Sequence, residues 1–173
     1  MAKAWDVHGL RGDLRFDEAA GRVILTRWRE MMSYRDGTLA GEDIEELHAM
    51  RVSSRRLRAA MDAFAEAFPR RPFRRRLKRV KEITDTLGDA RDLDVAVEGL
   101  EAVLAEMEPQ ERPGIEGLIA EYRGRRADEN QHIVALFDRL DDEGFADDFE
   151  GWVARHTGVT VEELDPQPPG ARA

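Results

Sequence analysis

The chain has 173 residues, 27 Lys and Arg against 36 Asp and Glu, a net charge of -9 and no cysteine. That length suits one domain, or two very small ones, with a real core. The missing cysteines exclude disulfides and thiolate metal sites, and the acidic balance argues against a general nucleic-acid coat. The start, MAKAWDVHGL, has no apolar leader and no apolar run reaches the length of a membrane span, so a cytoplasmic protein is the expectation.

Helical periodicity runs through almost the whole chain. From Phe16 to Tyr34 the residues Ala20, Ile24, Trp28 and Met31 form one stripe. RDGTLAGED breaks it, and Glu42 or Asp43 suits the start of a second helix, over about residues 42–67. Its stripe is Leu47, Met50, Leu57, Met61, Phe64 and Phe68, and Pro69 and Pro72 end it. A third helix is expected from Pro72 through Leu87. LGDARDLD then reads as a corner, with Gly88 in a left-handed cap and Asp92 capping a fourth helix over about 93–107. EPQERPG is the next break. A fifth helix spans about 115–140, with Arg126 and Glu129 expected to pair inside its apolar stripe. A short sixth covers 145–156. VTVEEL is too short and isolated for a strand. The expected fold is all-α, an antiparallel bundle of about five to six helices. Residues 1–13 read as an N-terminal extension, 14–157 as the helical domain and 158–173 as a disordered Pro/Gly-rich tail.

Charge is unevenly spread. Residues 1–47 hold 7 bases and 10 acids, residues 48–91 hold 13 and 5, and residues 92–173 hold 7 and 21. A basic block inside an acidic chain points to a localised anion site, or to basic and acidic helices that pair with each other. On the second helix His48, Arg51, Arg55 and Arg58 fall within a strip about 80° wide at 100° per residue. The strip runs alongside the apolar stripe. Stacked like charges oppose helix formation by a few tenths of a kcal/mol per pair, which an anion would relieve. The segment RRPFRRRLKRVK adds eight bases in twelve residues. Arg74, Lys78 and Lys81 share one flank; Arg75 and Arg79 share the other. Two such helices side by side make a basic wall fit for repeated negative charge, above all phosphate.

Other chemistries fit poorly. His8, His48, His132 and His156 lack metal-ligand spacing. No phosphate-binding loop ending in Gly-Lys-Ser/Thr and no Gly-x-Ser-x-Gly elbow occurs. The acid pairs Asp92/Asp94 and Asp147/Asp148 read as caps and solvated surface. No catalytic residue, metal or cofactor is expected. RNA or tRNA, or an acidic protein, remains an alternative occupant of the basic face, although the two tyrosines and three tryptophans do not interleave with the arginines as base-stacking platforms would.

LHAMRVSSRRLRAAMDAF followed by RRRLKRVKEITDTLGDARDLDVAVEGL resembles the CHAD domain, the conserved histidine α-helical domain. The family pattern is matched at His48, Arg51, Val52, Arg55, Arg56, Leu57 and Arg58, then at Leu87, Gly88, Arg91, Asp92, Asp94 and Val95. The resemblance covers roughly residues 14–156. It implies helical bundles, a basic channel that binds inorganic polyphosphate, and no catalysis. It adds Arg56 and Arg91 to the expected ligands. CHAD domains often lie beside a triphosphate tunnel enzyme domain, whose ExExK strand motif is not found here, so the chain reads as a standalone module, cytoplasmic and associated with polyphosphate granules. A typical CHAD domain has two four-helix bundles facing across the channel. This chain has length for about one, and its second half offers only Arg123, Arg125, Arg126 and His132. Either the wall works open, or a twofold homodimer supplies the second wall, with polyphosphate favouring closure.

Overall fold

A computed structural model describes residues 3–164 of the chain. Six α-helices follow one another among these residues: α1 (Phe16–Met32), α2 (Arg35–Ala40), α3 (Ile44–Ala63), α4 (Arg70–Glu106), α5 (Pro113–Asp142) and α6 (Phe145–Thr157). Single 3-10 turns lie at Ala65–Ala67, Pro109–Glu111 and Val161–Glu163. α1 packs on α3, α3 on α4, α4 on α5, and α6 closes the ring against α1 and α5. The all-α bundle expected from periodicity is the fold.

The apolar stripes decide which faces meet. Ala20, Ile24, Leu25, Trp28 and Met31 of α1 are buried against Leu47, Met50, Leu57 and Met61 of α3 and against α6. Trp28 stacks near Phe149 (4.6 Å between rings) and donates its indole N–H to Glu150 at 2.7 Å, so its one polar atom is satisfied at the core edge. Phe68 stacks on Trp152 at 4.5 Å and closes the bottom of the core. Each fully buried side chain of this size contributes about 1.5–3 kcal/mol relative to exposure. α3 is capped by Asp43, whose carboxylate accepts the Glu45 N–H at 2.9 Å. Gly144, at φ 60°, makes the sharp turn between α5 and α6.

Several expectations are corrected. The corner at Gly88 does not exist: the segments expected as a third and a fourth helix form one helix, α4, of 37 residues. Val80, Ile83, Leu87, Ala90 and Asp94 are buried at steps of three and four, so burial continues without a break through Gly88. A glycine inside a helix costs only about 1 kcal/mol, less than the burial on either side of it supplies. Asp92 caps nothing; it is exposed on the helix surface. The break RDGTLAGED contains the short helix α2, closed by Gly41 at φ 69°. The expected disordered tail begins too early. Val159 and Leu164 are buried, and Thr160 and Glu163 form a capping box. Residues 165–173 of that tail lie outside the described residues. The N-terminal extension is also tied down, since the Trp5 carbonyl accepts from buried Arg27.

Above Arg91, α4 and the facing part of α5 leave the bundle as a two-helix arm. Only Asp94 and Ile119 are buried in it, and Val95 and Val103 are more than half exposed. Arg126 of α5 donates to Asp94 at 2.8 Å, while Glu129 meets His132 at 3.2 Å. The expected Arg126–Glu129 pair is therefore replaced by a bridge between helices.

The continuous α4 makes a stability prediction. A Cβ added at Gly88 would touch only Arg51 Nε, at an ordinary 3.8 Å, whereas Gly144 holds a left-handed φ with nothing nearby. In urea denaturation Gly88→Ala should raise stability by about 0.5–1 kcal/mol, and Gly144→Ala should lower it by about 1 kcal/mol. A loss at residue 88 would show that this glycine is not helical.

Candidate functional site

Packing fixes the rotation of α3. Its small buried residues Ser53 and Ser54 and its stripe Leu47, Met50, Leu57 and Met61 face the core. His48, Arg51, Arg55 and Arg58 are thereby left on the flank beside α4. Arg55 is exposed and Arg58 half-buried. His48 is half-buried, and its Nδ1 is enclosed without a hydrogen-bond partner among the described residues. Arg51 lies over Gly88 and reaches Asp92 only at 3.9 Å.

α4 sends its bases in two directions. Phe73, Arg76, Val80, Ile83, Leu87 and Ala90 point to the core. Arg74, Lys78 and Lys81 emerge on the flank that carries Gly88 and Asp92, next to α3. Arg74 and Lys78 are exposed and Lys81 is half-buried. The helix begins at Arg70, so Arg70 and Arg71, both exposed, belong to the same basic end. The helix thus starts two residues before Pro72, near which the sequence places its start. Proline is tolerated throughout the first turn, where the N–H groups lack helical acceptors, and so it did not mark the boundary.

The remaining predicted ligands are diverted to acids. Arg56 turns inward and donates to Glu30 at 2.7 Å; Glu30 is fully buried and also binds Arg27. Arg79 is held by Glu82 (2.9 Å) and Glu143 (2.8 Å), which together raise its pKa, the Glu82 hydrogen bond most of all. Arg75 sits 3.7 Å from Asp148. Arg91 bonds Glu98 at 3.0 Å and approaches Asp94 at 4.0 Å. The structure therefore splits the expected wall. Arg75 and Arg79 line an adjoining groove of about 500 Å³ with Arg76, Glu143, Phe145 and Asp148, and Lys78 stands on the border between groove and ridge. Arg76 is buried there over Trp152, with its guanidinium carbon 4.5 Å from the ring centroid. Burial lowers its pKa, and Asp148, at 2.8 Å, acts in the opposite direction.

What remains is a ridge. Arg55, Arg58, Arg74, Lys78 and Lys81 take no ion pair with any described residue. Their spacing stacks like charges at i,i+3 and i,i+4, each pair opposing the helix by a few tenths of a kcal/mol. The N-terminus of α4 adds to this, having no acid in its first turn and no side-chain cap. A helix N-terminus carries positive partial charge, so Arg70 and Arg71 sit against the dipole. Among the described residues no cluster of His, Asp and Glu is placed to hold a metal ion, and no helix is long and apolar enough to cross a membrane.

The molecule is thus a helical-bundle protein with a cationic ridge on two neighbouring helices. A family model, the CHAD domain, matches residues 22–173, and the chain belongs to that family. CHAD domains are associated with polyphosphate-related proteins. No curated protein and no solved structure matches the chain.

The two fates of the α3 arginines can be separated by stability. Arg56→Ala removes a charged hydrogen bond from a buried carboxylate and should lower the unfolding free energy by about 1.5–3 kcal/mol. Arg55→Ala, at an exposed position, should change it by no more than about 0.5 kcal/mol. Equal effects in chemical denaturation would contradict the sorting of these two neighbours.

Proposed function

We propose that this chain binds inorganic polyphosphate along the α3–α4 ridge and does not turn it over. One observation carries the reading. Five basic side chains lie together on two adjacent helices without a carboxylate partner among the described residues, in a chain that pairs most of its other arginines with acids. A flexible polyanion offers phosphates at short, regular intervals, and each can meet one or two of these cations. Arg51 and His48 stand at the upper edge of the ridge and Arg70 and Arg71 at its lower end. Arg56, Arg79 and Arg91 act in this reading as structural residues, and Arg75 stands at the margin. Catalysis needs a nucleophile or metal constellation, which the bases of the ridge do not supply. The setting that fits is cytoplasmic, in contact with polyphosphate granules. RNA is a weaker occupant because Trp28 and Trp152 are committed to the core and cannot stack on bases.

Calorimetric titration with polyphosphate should show binding whose log affinity falls linearly with log salt, by analogy with nucleic acids. Arg55→Glu with Arg58→Glu should abolish it with helicity unchanged, and Arg125→Glu should matter far less. No orthophosphate should be released with or without magnesium. Salt-independent affinity, or a double variant that binds like wild type, would remove the ridge as the site. Tighter binding of RNA than of polyphosphate at one salt concentration would favour the alternative.

A further inference from the structure

The long helix α4 reverses its charge along its length. Residues 70–81 carry eight bases and no acid; residues 82–106 carry eight acids and a single base, Arg91. Both halves oppose the helix dipole, which favours acids at the N-terminus and bases at the C-terminus. On most sides of α4 these charges are answered within the chain, as in Arg79 with Glu143, Arg126 with Asp94 and Arg123 with Glu101. One flank is different. At 100° per residue Arg74, Lys78, Lys81, Asp89, Asp92 and Val103 fall within a strip about 80° wide. All of these except half-buried Lys81 are exposed. Asp89 has no ion pair among the described residues, and Asp92 has only the long contact to Arg51.

The order of charges on this flank is self-complementary. Lys81 and Asp89 stand equally far before and after Asp85, and so do Lys78 and Asp92. Reversing the helix direction superimposes Lys78 and Lys81 on acids, and Arg74 on the neutral Ala96. We propose that two copies of the chain associate through this flank of α4. The helices run antiparallel about a twofold axis near Asp85, with Lys78 and Lys81 of each copy against the partner's Asp92 and the partner's Asp89. A twofold interface uses the same patch on both subunits, so every such contact occurs twice. Exposed Val103 then comes level with the partner's turn at Ala65–Ala67. The two copies of Asp85 at the axis are the like-charged contact in the arrangement.

Lys78 and Lys81 also belong to the polyphosphate ridge, so ligand and partner compete for them. A polyanion binds the open monomer and shifts the equilibrium away from the dimer. This competition rests on the polyphosphate reading; the association itself does not.

Sedimentation velocity on the full chain tests both. Wild type should dimerise at low salt and fall apart at high salt. Asp89→Lys with Asp92→Lys makes the flank basic throughout, and Lys78→Glu with Lys81→Glu makes it acidic throughout. Each double variant should be monomeric alone, with unchanged circular dichroism, and the two mixed one to one should form a dimer. The basic variant should keep or gain affinity for polyphosphate in calorimetry. A short polyphosphate should return wild type to the monomer. Wild type that stays monomeric at low salt, or a double variant that dimerises alone as wild type does, would overturn the interface. A dimer strengthened by short polyphosphate would instead support two ridges facing each other across the ligand, and would overturn this arrangement. If calorimetry shows no polyphosphate binding while the mixed variants still pair, the interface stands and the polyphosphate reading fails.

Discussion

The buried carboxylate of Glu30 is the constraint around which the arginines of this protein are sorted. It is fully enclosed and binds Arg27 of its own helix and Arg56 of α3. A charge removed from water must be paired and hydrogen-bonded or it opposes folding by several kcal/mol. Arg56 is thus fixed inward, and the rotation of α3 is fixed with it. Arg55 and Arg58, one and two positions away, then have to leave on the flank toward α4. The same carboxylate reaches the N-terminal segment through Arg27, whose guanidinium also binds the Trp5 carbonyl. The cationic ridge exists because one arginine of the α3 group was taken into the structure and its neighbours were not.

A second sorting happens on α4. Arg76 is drawn into the core over Trp152 and Arg79 is clamped between Glu82 and Glu143, both on the side facing α5 and α6. On the α3 side Arg74, Lys78 and Lys81 take no ion pair with any described residue. One continuous helix therefore serves three purposes along its length. Its stripe from Phe73 to Ala90 closes the core, its N-terminal flank carries the ridge, and its acidic end builds the arm. At 1.5 Å per residue it is about 55 Å long, far longer than α3 can cover. The exposed flank beyond the end of α3 is a direct result of that mismatch.

Membership of the CHAD family and the observed ridge support each other at the level of chemistry. The pattern residues are present, but they do not form one uniform wall. His48, Arg51, Arg55 and Arg58 edge the α3–α4 flank, whereas Arg56 and Asp94 join one helix to another and Arg91 pairs with acids of its own helix. A sequence signature of this kind mixes cations left at the surface with residues that pair with acids inside the fold, and the position of the acids tells them apart.

The sequence by itself determined the helical fold, because the spacing of Ala20, Ile24, Trp28 and Met31, and of Leu47, Met50, Leu57 and Met61, permits no other regular structure. It also placed the basic strip beside the buried stripe of α3, since both follow from one angle per residue. Local signals were weaker at boundaries. Gly88 looked like a cap and Pro72 like a first residue, yet burial of Leu87, Ala90 and Asp94 carried the helix through one and the tolerance of a first turn admitted the other. What only the tertiary structure decided was the partner of each charge. Arg126 lies three residues from Glu129 but bonds Asp94 on another helix, and Arg56 lies beside Arg55 but finds Glu30. The sequence lists the charges of both signs. Which arginine meets a carboxylate depends on helix rotation and crossing, which packing of the apolar stripes sets only when the whole chain is assembled.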